Sequence, residues 1–118
     1  MYSKELQNYN IQFITHQTEK YDYYQSAKIA LEGGIRWIQL RMKNAPLNAV
    51  KEEAIRIQYL CKQYSALFFI DDYVELAIEL HADGVHLGQN DMPINDARKL
   101  CGNLLYIGGT ANTFQQIE

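Results

Sequence analysis

Short runs rich in β-branched and aromatic residues alternate along this chain with longer segments in which apolar residues recur every three or four positions. The short runs, at 11–15, 37–41, 67–71, 84–87 and 104–108, predict strands. The longer segments, at 23–32, 47–64, 74–80 and 94–100, predict helices, and a further helix begins after Asn112. Within 47–64, Val50, Ala54, Ile57, Leu60 and Cys61 fall on a single stripe with charged residues opposite, the pattern of a helix laid on a core along one face. Gly33-Gly34 punctuates the end of the first helix, Asp83-Gly84 turns into the fourth strand, and Asn112 or Thr113 can cap the last helix.

Strand-helix alternation with short connections predicts a parallel sheet covered by helices, because parallel neighbours need a crossover and a helix is the usual one. Two α/β architectures satisfy it. One is an open doubly wound sheet; the other is the first part of a (β/α)8 barrel, whose complete form takes about 200 residues or more. Periodicity does not choose between them.

With 118 residues, 47% hydrophobic and 21% charged, the composition is that of one ordinary globular domain. No apolar run reaches transmembrane length, and the N-terminal segment lacks the basic and apolar regions of a signal peptide, so a soluble cytoplasmic protein without membrane contact is expected. The net charge of −3 argues against nucleic acid as a general partner, and any phosphate recognised must meet a local cluster of cations. Cys61 and Cys101 are far apart and form no CxxC, which predicts thiols rather than a disulfide or zinc pair.

Polar residues unexplained by helix or strand formation collect at the C-terminal ends of the predicted strands, where both parallel architectures place their chemistry. They are Thr15 and His16, Arg41 and Lys43, Asp71 and Asp72, Gln89 and Asp91, and Thr110 and Asn112. Side-chain alternation assigns Gln39, Arg41 and Lys43 to one face of the second strand and Ile38, Leu40 and Met42 to the other. Two cations on an interior face need an anion to offset their desolvation, and Arg with Lys suits a phosphate. The plainer alternative is a solvated strand end with surface ion pairs. Asp71, Asp72 and Asp91 add hard oxygen donors, which with a diphosphate suit Mg²⁺. Alternatively, Asp71 and Asp91 cap the helices that follow them. His86, between Val85 and Leu87, is expected to point inward as a hydrogen-bonded core histidine, and His81 to sit exposed at a helix end.

The segments GGIRWIQLRMK, FFIDDYVELAIELHADGVHLGQNDMP and YIGGTANT, in that order and spacing, resemble the first five strand regions of the thiamine phosphate synthases. The resemblance implies a (β/α)8 TIM-barrel fold, with residues 1–118 forming a single partial barrel domain that lacks the family's C-terminal strands and helices. Such a chain is expected to be a fragment or a homo-oligomer that completes a barrel from two halves. The resemblance also implies a Mg²⁺-dependent transferase that moves a hydroxymethylpyrimidine group from its diphosphate to thiazole phosphate and releases pyrophosphate. QLRMK resembles the family's Gln-x-Arg-x-Lys strand, which implies that Gln39, Arg41 and Lys43 bind the aminopyrimidine diphosphate, with Arg41 and Lys43 neutralising charge on the leaving group. By the same resemblance Asp72 and Asp91 are Mg²⁺ ligands, and Asp71 contacts the pyrimidine diphosphate where many members carry Asn. Thr110 offers it a hydroxyl where many members carry Ser. The thiazole phosphate would be held by later loops that this sequence does not contain. Two other readings stand beside this one: a thiazole tautomerase on the same barrel, and a non-catalytic phosphate-binding module. Retention of Gln39, Arg41, Lys43, Asp72 and Asp91 counts against the tautomerase.

Overall fold

A computed structural model describes residues 11–88, 98 and 105–109. The chain divides into two compact units between Phe68 and Phe69, inside the strand Leu67–Asp71.

The first unit contains β1 (Phe13–Ile14), α1 (Tyr23–Glu32), β2 (Trp37–Leu40), α2 (Leu47–Gln63) and the start of β3 (Leu67–Asp71). A capping box opens α1: Asp22 Oδ1 accepts from the Gln25 N–H at 2.7 Å, and Gln25 Oε1 accepts from the Asp22 N–H at 3.1 Å. Two otherwise orphaned donors are thereby satisfied. At the other end the Gly33 N–H donates to the Ile29 carbonyl at 3.0 Å. Gly34 then takes φ 105°, a conformation that costs glycine little, and the chain turns toward β2. The predicted stripe on α2 is the buried one: Val50, Ala54, Ile57, Leu60 and Cys61. That helix packs against α1 and against β2. Parallel pairing sets Phe13 opposite Ile38 and Ile14 opposite Gln39, and the Leu67 N–H donates to the Arg36 carbonyl at 2.8 Å as β3 begins.

The second unit contains the remainder of β3, α3 (Val74–Glu79), β4 (Gly84–Leu87) and β5 (Tyr106–Gly109). Its strands are parallel, with Phe69 opposite Gly84, Asp71 opposite His86, and His86 opposite Gly108. Val74, Leu76 and Ala77 are the buried residues of α3, which packs on β4. Glycine is required at position 84 because a Cβ there would come within 2.4 Å of the Phe69 ring. That ring is stacked on Tyr106, with centroids 6.4 Å apart.

Strand order follows chain order, β1-β2-β3-β4-β5. A doubly wound sheet reverses its order at a switch point, whereas a barrel wall advances one strand at a time, so the order selects the barrel-type α/β architecture. Observed and predicted ranges coincide for α1, β3 and β4, while α2 and α3 each stop before the predicted end. β1 and β2 are shorter than predicted, and β5 begins later. Of the predicted helix at 94–100 only Arg98 is described, and it is helical; the helix after Asn112 and Cys101 lie outside the described residues. Among the described residues no helix is long and apolar enough to cross a membrane.

In the seam between α1 and α2, Arg56 lies over the Tyr24 ring, 4.5 Å from its centroid, and donates to Glu53 Oε1 at 2.9 Å. Burial pushes the Glu53 carboxyl above its ordinary pKa, Arg56 pulls it down, and Asp22 and Glu52 push it up. The folded state therefore holds this proton more tightly than the unfolded state. Its stabilising effect is complete below the ordinary glutamate range and is lost as pH rises through the folded-state value. Glu53→Gln keeps an acceptor for Arg56 without the charge. We predict that the variant is at least as stable as wild type at neutral pH. Urea melts should show its advantage shrinking on acidification; a pH-independent difference would contradict the assignment.

Candidate active site

In the first unit the site is built around the end of β2. Ile38, Gln39 and Leu40 are all buried, Gln39 to 1% exposure, as expected of a strand in a parallel sheet covered on both faces. Alternation sets Ile38 and Leu40 on one face and Gln39 on the other. Among the described residues Gln39 Nε2 has no hydrogen-bond partner. A buried donor left in this way costs about 1–3 kcal/mol, so the position invites an acceptor from a bound molecule.

The ladder with β1 ends in a particular way. Thr15 N–H donates to the Gln39 carbonyl at 2.9 Å, while the Arg41 N–H donates to the Thr15 hydroxyl at 3.2 Å. Beyond this point Arg41 and Lys43 are exposed, and Asn44 takes φ 60°. Gln39 is buried whereas Arg41 and Lys43 are exposed, so the two cations are not desolvated as an interior face would require. β2 stops at Leu40, and strand alternation imposes no face on residues outside the ladder. Both cations are exposed, as in the plainer alternative of a solvated strand end, but among the described residues neither forms an ion pair. Two hydrated cations thus follow directly on a buried amide that lacks an acceptor.

In the second unit the register arranges side chains in rows across one face. Phe69, Gly84 and Tyr106 make one row; Asp71, His86 and Gly108 make the next, toward the carboxyl ends of the strands. Asp71, Asp72 and His86 are half-buried. The chain turns sharply after β3: Asp72 takes φ 75°, its N–H donates to the His86 carbonyl at 2.7 Å, and its own carbonyl accepts from the Val74 N–H at 2.9 Å. Aspartate tolerates this left-handed backbone better than most residues. The cap position of α3 is held by Tyr73, not by Asp71. His86 is not a fully buried core residue, in contrast to its neighbours Val85 and Leu87. His81 is exposed, as expected.

Among the described residues no three His, Cys, Asp or Glu side chains gather into a metal-holding group. Asp72, expected as a Mg²⁺ ligand, and Asp71, expected as a substrate contact, stand side by side at the end of β3. Gln89, Asp91, Thr110 and Asn112 lie outside the described residues. The tie between Thr15 and Arg41 was not evident from periodicity. The capping box at Asp22 was readable as Asp-x-x-Gln before an apolar stripe.

A parallel sheet in chain order, carrying its unexplained polar groups at the carboxyl ends of the strands, belongs to the (β/α)-barrel class, whose chemistry lies at that end. Within that class the chain belongs to the thiamine monophosphate synthase family, whose profile matches residues 11–118. It is 60% identical over 108 residues to the thiamine-phosphate synthase of Phocaeicola vulgatus, covering 92% of this chain and 52% of that protein. With the thiamine-phosphate synthase of Bacteroides thetaiotaomicron it shares 56% identity over 108 residues, covering 92% of this chain and 52% of that protein. Among solved structures, the thiamine phosphate pyrophosphorylase from Pyrococcus furiosus matches with a TM-score of 0.82 at 37% identity, over 94% of this chain and 55% of that one. The chain spans about half the length of the relatives it matches.

The orphaned amide yields a direct test. Gln39→Met keeps an unbranched side chain of similar volume and removes the unsatisfied donor. The unliganded variant is expected to gain about 1 kcal/mol in denaturant melts. A loss of that size would mean that Nε2 has a partner in the free protein.

Proposed function

We propose that this chain carries the pyrimidine-diphosphate side of a thiamine phosphate synthase, a Mg²⁺-dependent transferase of thiamine biosynthesis. The observation that carries the proposal is the end of β2: a buried Gln39 Nε2 without a partner, followed by the exposed cations Arg41 and Lys43. An amide donor for a heterocycle and cations for a diphosphate match the two halves of an aminopyrimidine diphosphate. Family membership and the relatives named thiamine-phosphate synthase support the same reading. On it, residues 1–118 belong to one partial barrel domain working in the cytoplasm.

In the reaction the bond between the pyrimidine methylene carbon and the diphosphate oxygen breaks, and its electron pair leaves with pyrophosphate. The positive charge left on the methylene is delocalised into the aminopyrimidine ring. The lone pair of the thiazole nitrogen then forms the new carbon–nitrogen bond, giving thiamine phosphate. Gln39 holds and orients the pyrimidine through its buried amide. Arg41 binds diphosphate oxygens in a bidentate manner and Lys43 adds a mobile positive charge, so both favour the state in which negative charge has moved onto the leaving group. Asp71 and the Thr110 hydroxyl contact the same substrate. Asp72 and Asp91 would hold Mg²⁺, which supplies further neutralisation of the diphosphate oxygens. No residue of the chain has to become covalently attached to substrate.

Calorimetric titration with pyrophosphate and Mg²⁺ tests the reading. The wild-type protein should bind, and Arg41→Ala should weaken binding by about tenfold or more, the usual range for a lost charge-assisted contact. Absence of binding by the wild type would reject the proposal. Incubation with the aminopyrimidine diphosphate, thiazole phosphate and Mg²⁺, with thiamine phosphate read as fluorescent thiochrome, separates the remaining alternatives. In a complete barrel that contains this chain, product that disappears with chelator, and is strongly reduced by Asp72→Ala or Asp91→Ala, is the expected result. Binding without product, even when the remaining strands of a barrel are supplied, would assign a phosphate-binding module.

A further inference from the structure

Thr15 is buried to 2% exposure, and its hydrogen bonds bracket one residue of the neighbouring strand. Its N–H donates to the Gln39 carbonyl at 2.9 Å, and its hydroxyl accepts from the Arg41 N–H at 3.2 Å. The register Phe13 with Ile38 and Ile14 with Gln39, continued by one step, would set Thr15 opposite Leu40. In a regular parallel ladder the Arg41 N–H would then donate to the Thr15 main-chain carbonyl. The side-chain hydroxyl takes that acceptor's place, and β2 ends at Leu40.

We infer that Thr15 is a positioning residue for the diphosphate clamp. Its hydroxyl stops the ladder and holds the Arg41 main chain at the point where Arg41 and Lys43 turn out to water. This role rests on the proposed binding of a diphosphate at the end of β2. Thr15 fixes the carbonyl before Leu40 and the amide after it, and so sets the spacing between the buried Gln39 side chain and the exposed guanidinium. That spacing matters because a planar guanidinium gains its bidentate contact only in a narrow geometry. Displacements of about 1 Å are costly when groups must act together on one substrate. A β-branched hydroxyl residue suits the position: its rotamer is restricted in extended backbone, so the acceptor is already aimed.

The test compares Thr15→Val, which keeps the branched shape and removes the acceptor, with Thr15→Ser, which keeps the acceptor. Each is titrated with pyrophosphate and Mg²⁺, and hydrogen exchange of the Arg41 amide is followed by NMR. Thr15→Val should bind about fivefold more weakly, the size of one neutral hydrogen bond, while Thr15→Ser stays within about twofold of wild type. Exchange at Arg41 should accelerate in the valine variant and not in the serine variant. In an Arg41→Ala background, Thr15→Val should weaken binding no further, because the effect passes through Arg41. Thr15→Ala serves in its place if the valine variant does not fold. Wild-type affinity in Thr15→Val, or the same loss with and without Arg41, would leave Thr15 a structural role alone. Failure of the wild-type protein to bind pyrophosphate would instead overturn the functional reading, and the positioning role with it.

Discussion

A strand buried on both faces must satisfy every main-chain polar group within the sheet until the ladder stops, and only there can the chain present charged groups to water. In the first unit this constraint acts between Thr15 and the Gln39–Arg41 stretch. Before it, Ile38, Gln39 and Leu40 are sealed from solvent; after it, Arg41 and Lys43 are exposed. The buried amide with no partner and the hydrated cations are therefore two consequences of one strand ending. A cation carried one residue deeper would have had to lose its hydration, at a cost of several kcal/mol unless paired. By leaving the ladder first, the chain keeps both cations in water until an anion arrives.

The second unit meets the same constraint by a different means. A sharp turn after β3 uses the left-handed backbone of Asp72 and a bond from its N–H to the His86 carbonyl. Residues in sparsely populated backbone regions persist where the surroundings over-determine them, and such places are often functional. Behind the row of Asp71, His86 and Gly108 lies the apolar row of Phe69, Gly84 and Tyr106. Glycine at 84 admits the Phe69 ring, which stacks on the exposed Tyr106 ring. A single methyl group at position 84 would press on the Phe69 ring, one row from Asp71 and His86.

Chemistry of the kind proposed needs little from the protein beyond placement and charge. The reacting groups belong to the substrates, and the protein has to hold a heterocycle, a diphosphate and a metal ion in one arrangement. Single polar residues just beyond the strands are enough for this, provided that the main chain delivering them does not move. The cores of the two units supply that rigidity: the stripe of α2 from Val50 to Cys61 in the first, and Ile70, Val85, Leu87 and Ile107 in the second.

Much of this was legible in the sequence. Local periodicity determined the kinds of element, their order and the buried stripe of α2, because each depends on residues a few positions apart. The segments around Gln39, Arg41 and Lys43, and around Asp71 and Asp72, pointed to the family and to the strand ends that carry chemistry. The lengths of β1 and β2 were not legible, since a strand ends where its partner ends, and the partner comes from elsewhere in the chain. For the same reason alternation could not be carried past Leu40 to Arg41 and Lys43, which are exposed, and nothing local revealed that Thr15 would hold the Arg41 amide. Strand order, which separates a barrel wall from a doubly wound sheet, is likewise a matter of pairing between distant segments. Which polar groups are left unsatisfied, as at Gln39 Nε2, was decided only once tertiary packing had closed around them, because desolvation is a property of the assembled surroundings and not of the residue.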